Sequence, residues 1–340
     1  MTSDAIVIGG GVIGLTTAIV LAESGRRVEV WSRDAAADTT SAVAGGLWWP
    51  YRIEPEEAVG PWSLRSLEVQ TELAADPDET GVRLVDGVQG GLDVTELGPW
   101  ARHLRGLRPS SAEELPHGYE KGLRARVPII DMGSHLAYLR RRLEAAGGTV
   151  AVRAVSSLAD AGRAAPTIVN CTGLGARDLV PDPGVHPVQG QIVVVENPGI
   201  AEWFVAADRA ASDTMYVLPQ PYGVVLGGTA REGVWDREPD PVTAAAIVAR
   251  CARVHPALAR ARVIEHRVGL RPGRHQVRLE AEDLPGGTRL VHNYGHGGAG
   301  ITVSWGCATE AALAGARTRA GGSKVGWVGV RVSFSLSWPT

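Results

Sequence analysis

A short apolar run, Ala5-Ile6-Val7-Ile8, leads straight into Gly9-Gly10-Gly11-Val12-Ile13-Gly14, and that junction constrains the fold more than any other feature of the chain. Gly9, Gly11 and Gly14 satisfy the pattern G-x-G-x-x-G. The first glycine lets the chain turn sharply, the second lets backbone N–H groups approach a diphosphate, and the third lets a helix pack closely on a strand. Good helix formers follow over 15–23, Gly25 closes the helix, and Val28-Glu29-Val30-Trp31 reads as the next strand. A strand–turn–helix–strand unit of this kind predicts a dinucleotide site, with Val12 and Ile13 opening the helix. The acid that would hold a ribose is expected about 20 residues further on. Arg33 and then Asp34 stand there, which argues against simple NAD binding and leaves the nucleotide open.

The alternation continues before the texture changes. Residues 135–146 carry a helix pattern stopped by Gly147-Gly148, residues 149–155 read as a strand, and Thr167-Ile168-Val169-Asn170 is a buried-strand run. Helices are expected over 54–73 and 241–259. Between residues 191 and 226 strands succeed one another without helices, which predicts a mainly antiparallel unit. A strand over 289–293 then meets Tyr294-Gly295-His296-Gly297-Gly298-Ala299-Gly300, and a helix follows over 303–314. This second glycine-rich turn offers backbone donors and a positive helix end to an anion.

Composition narrows the function. The chain holds 43 glycines in 340 residues, nearly twice the usual ~7%, as expected where backbone must approach a ligand closely. A net charge of −3 provides no basic footprint, so neither nucleic acid nor an anionic membrane surface is an expected partner. Cys171, Cys251 and Cys307 have no paired spacing, and no apolar run reaches the ~18–20 residues of a membrane span. With no basic region ahead of the first strand, a cytoplasmic protein with reduced thiols is expected. His292 and His296 are four apart, but the intervening Tyr294 and Gly295 preclude a helical metal pair, so no metal site is expected.

Taken together, the ordered motifs resemble those of the FAD-dependent D-amino-acid oxidase family over about nine-tenths of the chain. They are the N-terminal glycine turn, Thr39-Thr40-Ser41-Ala42-Val43-Ala44-Gly45-Gly46-Leu47-Trp48-Trp49-Pro50-Tyr51, Val169-Asn170-Cys171-Thr172-Gly173 and Gly190-Gln191-Ile192. Met215-Tyr216-Val217-Leu218-Pro219, Leu226-Gly227-Gly228-Thr229, Gly269-Leu270-Arg271-Pro272 and the His292–Gly300 turn complete the set. The resemblance implies an α/β fold: a Rossmann-type FAD-binding domain and a mainly antiparallel α+β substrate domain, with the chain alternating between them. The expected division assigns 1–50, 135–185 and 265–320 to FAD and 51–134 and 186–264 to substrate, with 321–340 an atypical tail.

The resemblance also implies site residues. FAD, bound non-covalently, would lie with its pyrophosphate over Gly9, Gly11, Val12, Ile13 and Gly14 and its adenosine near Arg33, Asp34 and Val155. Thr40, Ser41, Gly45, Gly46 and Leu47 would follow it to the flavin, whose pyrimidine side Gly297, Gly298, Gly300 and Thr302 would line. Arg271 and Tyr216 would grip the substrate carboxylate, the Gly298 carbonyl would accept from the amine, and Trp49 and Ala230 would face the side chain. The implied reaction passes hydride from the D-amino acid Cα to flavin N5 without a side-chain base. O2 reoxidises the flavin to give H2O2, and the imino acid hydrolyses to a 2-oxo acid and ammonia. A flavin-linked amino-acid dehydrogenase or glycine-oxidase-like enzyme is the alternative, ahead of a flavin protein without turnover, and a homodimer is left open.

Two positions that depart from the family pattern bear on substrate choice and gating. D-aspartate oxidases carry an arginine where Ala230 stands, so acidic substrates are disfavoured and neutral, bulky or basic D-amino acids are expected. Arg231 should point to the opposite side if the strand continues. Ser212 occupies the place of the mammalian lid tyrosine, so gating there is not expected.

Overall fold

In the computed structural model, which describes residues 3–206 and 213–316, the chain passes back and forth between two sheets. Ser212 and the tail over 321–340 lie outside the described residues. The order begins β1 (Ala5–Ile8), α1 (Val12–Glu23), β2 (Val28–Ser32), α2 (Thr40–Val43), α3 (Glu56–Leu73) and α4 (Pro77–Thr80). Strands β3 (Val82–Gly90), β4 (Arg108–Pro109) and β5 (Gly122–Ile130) enter the second sheet. The segments α5 (Met132–Ala145), β6 (Thr149–Val152), α6 (Leu158–Gly162), β7 (Thr167–Asn170) and α7 (Ala176–Leu179) return to the first. The second sheet resumes with β8 (His186–Val195), β9 (Trp203–Ala206), β10 (Asp213–Gln220), β11 (Gly223–Thr229) and β12 (Arg231–Glu232), then α8 (Pro241–Ala252) and β13 (Val263–Gly273). The first is completed by β14 (Arg278–Asp283), β15 (Arg289–Tyr294) and α9 (Gly300–Ala314).

The first sheet runs β14-β15-β7-β1-β2-β6 and is parallel except where β14 joins β15. Parallel strands covered on both faces need continuous apolar runs, and β1 and β7 are buried at every residue. For the same reason α1 has almost no polar face: nine of its residues, Leu15, Ala18, Ile19 and Leu21 among them, are buried. It packs against α5 and α9, and Thr16 Oγ1 donates across to Ser304 O at 3.3 Å.

The second sheet runs β12-β8-β11-β10-β9-β3-β5-β4 and is antiparallel apart from the β3–β9 pair, as the helix-free texture predicts. Its ninth strand, β13, bears on the expected division. Residues 265–273 were assigned to the FAD part, yet β13 pairs with β8 along its whole length, down to Gly273 against His186. Helix α3, grouped with the substrate residues, lies on α9: Ser66 Oγ accepts from the N–H groups of Trp305 and Gly306 at 3.1 and 3.2 Å. The helix expected over 241–259 stops at Ala252, because a proline at 256 disfavours helical backbone at the residue before it. A separate 3-10 turn occupies Pro256–Arg260. The strand expected over 149–155 ends at Val152.

Candidate functional site

A cleft of about 1430 Å³ is walled by both sheets. Its floor begins at the β1–α1 turn. Gly9 has φ +118°, and a Cβ there would stand 2.4 Å from the carbonyl oxygen of Cys171; one on Gly14 would stand 1.8 Å from the Gly9 oxygen. These two glycines therefore serve the close fit of turn, helix and β7. Gly11 caps α1 without any side-chain hydrogen bond, so the helix presents backbone donors at its positive end. Ser41 Oγ, on α2, accepts from the first of them, Val12 N, at 3.0 Å. Thr40 Oγ1 donates to Leu270 O at 3.0 Å and so fastens α2 to β13. Helix α9 also starts on the cleft, at Gly300, again with no capping side chain.

Asp34 and Arg33 lie past the end of β2 and pair at 2.8 Å, the guanidinium holding the Asp34 carboxyl below its usual range. Both line the cleft, as does Val155. Gly45, Gly46 and Leu47 form another part of the wall. Gly46 has φ +82° and accepts from Ile130 N at 2.7 Å, while Gln220 Nε2 donates to Gly45 O at 3.0 Å.

On the opposing wall, Arg271 projects from β13 across Gly190 of the adjacent strand. A Cβ on Gly190 would fall 2.3–2.4 Å from three guanidinium atoms, and Arg271 Nη1 donates to Thr229 O at 2.9 Å. Tyr216 lies over Gly227 in the same manner, where a Cβ would meet its ring at 1.8 Å. Burial raises the Tyr216 pKa, which the neighbouring Arg271 opposes, and the phenol stays protonated at neutral pH. A Cβ on Gly298 would stand 3.2 Å from Arg271 Cδ, so the glycine turn and the arginine are neighbours. Ala230 lines the cleft in the break between β11 and β12, where the strand does not continue, and Arg231 turns away to donate to Thr243 Oγ1 at 2.9 Å. Trp49 lines the cleft with its ring 5.4 Å from Trp100 and 5.5 Å from Trp203.

One expected wall residue is elsewhere. Thr302 is buried behind the wall, where its hydroxyl accepts from Trp49 N and donates to Trp49 O, each at 3.3 Å. Its hydroxyl thus fixes the backbone of the Trp49 segment. Several cleft residues carry no motif by which a sequence reading would find them. Arg153 sits 3.7 Å from the Trp31 ring centroid, and Gln89, Trp235 and Arg237 come from the second sheet and its loops. His296, which the second glycine-rich motif does contain, is fully buried on the cleft, and burial lowers its pKa to about 3. The repeated spacing of a motif finds turns; side chains gathered from distant strands leave no such trace.

Comparison with known proteins reaches the same ground. The sequence profile described as FAD dependent oxidoreductase matches residues 4–313. A D-amino-acid oxidase of Streptomyces coelicolor is 62% identical over 310 residues, covering 91% of this chain and 95% of that protein. A D-amino-acid oxidase of Rubrobacter xylanophilus is 52% identical over 318 residues, 93% of this chain and 97% of the relative. Among solved structures, glycine oxidase from Geobacillus kaustophilus superposes with a TM-score of 0.75 at 20% identity, covering 92% and 94% of the two chains.

Proposed function

Because the chain belongs to the FAD dependent oxidoreductase family, we propose that it is a D-amino-acid oxidase, turning a D-amino acid, O2 and water into a 2-oxo acid, ammonia and H2O2. The observation that carries this reading is the meeting of Arg271, Tyr216 and Gly298 on one cleft. The names of the two relatives support it.

The cleft suits FAD. Two helices of twelve and fifteen residues open on it with no side-chain cap from their own N-cap residues, so their positive ends face a site for a diphosphate and for a flavin that becomes anionic on reduction. Gly9, Gly11, Val12, Ile13, Gly14, Thr40 and Ser41 would hold the pyrophosphate. Arg33, Asp34 and Val155 would hold the adenosine, with Arg153 stacked on Trp31 beside them. Gly45, Gly46, Leu47, Gly297, Gly298 and Gly300 would hold the flavin. Bound there, FAD supplies the two-electron acceptor and its reaction with O2.

The protein's part is orientation. Arg271 offers two parallel N–H donors to an α-carboxylate, and the protonated Tyr216 hydroxyl offers a third. The Gly298 carbonyl accepts from the amine. With the side chain directed to the Trp49 and Ala230 wall, three substituents of Cα are fixed, and only one enantiomer then turns its Cα hydrogen toward the side of the cleft where the flavin would lie. No side-chain base is assigned. Ala230 leaves space and no positive charge opposite the substrate side chain, so neutral and bulky or basic D-amino acids are favoured over D-aspartate. The three cysteines are free thiols, in keeping with a cytoplasmic enzyme.

The test is an aerobic panel of D-alanine, D-valine, D-arginine and D-aspartate, with H2O2 and 2-oxo acid measured together. Equal yields of the two from the first three, and little from D-aspartate, are expected. Oxo acid without peroxide would make the protein a dehydrogenase.

A further inference from the structure

Asp182 lies where the chain crosses from α7, which follows the first sheet's β7, to β8 of the second sheet. The residue is almost wholly buried, and three donors meet its carboxylate. They are Tyr294 Oη at 2.8 Å, Arg274 Nε at 3.0 Å and the Gly184 N–H at 2.9 Å. The Tyr294 hydroxyl also accepts from Arg278 Nη1 at 2.8 Å. A buried charge persists only where it is paired and hydrogen-bonded in this way.

The origins of those donors give the cluster its meaning. Tyr294 is the last residue of β15 in the first sheet and leads directly into the turn that carries Gly298. Arg274 follows the end of β13 in the second sheet, three residues after Arg271. Asp182 therefore joins the strand end bearing Arg271 to the strand end leading to Gly298. Two close approaches accompany it. Gly297 N donates to Pro272 O at 2.9 Å. A Cβ on Gly295, at φ +86°, would fall 2.9 Å from Arg274 Cβ, so only a glycine admits the arginine stem.

We propose that Asp182 is a positioning residue, a clip that sets the separation between the carboxylate grip at Arg271 and the amine acceptor at Gly298. It rests on the D-amino-acid oxidase reading. Oriented reactions lose up to about 100-fold from displacements of about 1 Å. Without the clip each grip survives singly, but the two no longer hold one Cα in register.

Asp182→Asn tests this in the FAD-loaded enzyme. The expected result is a kcat on D-alanine lower by at least about tenfold, with the inhibition constant of acetate, which needs the carboxylate grip alone, moved by less than about threefold. FAD content should match wild type. Unchanged turnover, or parallel losses in turnover and acetate binding, would overturn the clip. Should Asp182→Asn shed its FAD, Tyr294→Phe decides. A reduced kcat with unchanged acetate inhibition supports the proposal, and wild-type turnover in that variant overturns it. Wild type assayed alongside separates two failures. Active wild type with an indifferent Asp182→Asn overturns the clip alone, whereas wild type inert to every D-amino acid overturns the oxidase reading and the clip with it.

Discussion

Arg271 owes its place to a residue without a side chain: Gly190 leaves the space its guanidinium fills, and Thr229 O receives one of its N–H groups. A guanidinium held there on the cleft can meet a carboxylate through a charge-assisted, bidentate contact, the strong kind of hydrogen bond. Arg271→Ala should keep the cofactor spectrum, since no residue of the two helix N-termini changes, and lose at least about 100-fold in kcat/KM. Steady-state kinetics on the FAD-loaded variant checks this, and near-normal efficiency would remove Arg271 from the site. This residue and Tyr216 were legible in the sequence because each sits in a short ordered motif. Thr302 was misplaced because a motif tells which turn a residue follows and leaves open which way its side chain points. Its hydroxyl binds Trp49 backbone, a partner 253 residues away.

At the scale of elements, the β1–α1 turn was readable because its constraint is local: glycines at fixed offsets, an apolar strand before and a helix after. Strand β13 was not, since nothing local in Gly269-Leu270-Arg271-Pro272 marks a strand until β8 provides its partner from about eighty residues earlier. Asp182 was equally hidden, as Pro181-Asp182-Pro183-Gly184 signals a turn and nothing more. The α3–α9 crossing also depends on partners remote in sequence. A Cβ on Gly306 would stand 2.3 Å from Trp62 Cα, a backbone atom that cannot swing aside. Gly306→Val should therefore force the helices apart and cost roughly 1–3 kcal/mol or more. A thermal melt of the FAD-loaded variant should show a Tm lower by several degrees; an unchanged Tm would mean that this crossing is loosely packed.

Over the whole molecule, the two sheets were foreseeable as a parallel and an antiparallel unit, and what the sequence left out is how they are fastened along the cleft. Acid should loosen the structure through its buried imidazoles. Burial lowers His135 to about 4 and His296 to about 3 from an ordinary 6.5. The unfolded chain then binds protons that the folded chain refuses, so stability rises with pH across this interval and is lost as pH falls from about 6.5 toward 4. Melting temperatures measured between those limits should fall with acidification, and His135→Gln should flatten the slope. The central claim is that this cleft delivers the D-enantiomer of an amino acid to bound FAD. Its most direct test is anaerobic: the purified yellow protein is mixed with D-alanine and, separately, L-alanine while the visible absorption band of the oxidised cofactor is followed. The account predicts loss of that band with D-alanine alone, and loss with L-alanine, or with neither D-alanine nor the bulkier D-valine and D-arginine, would contradict it.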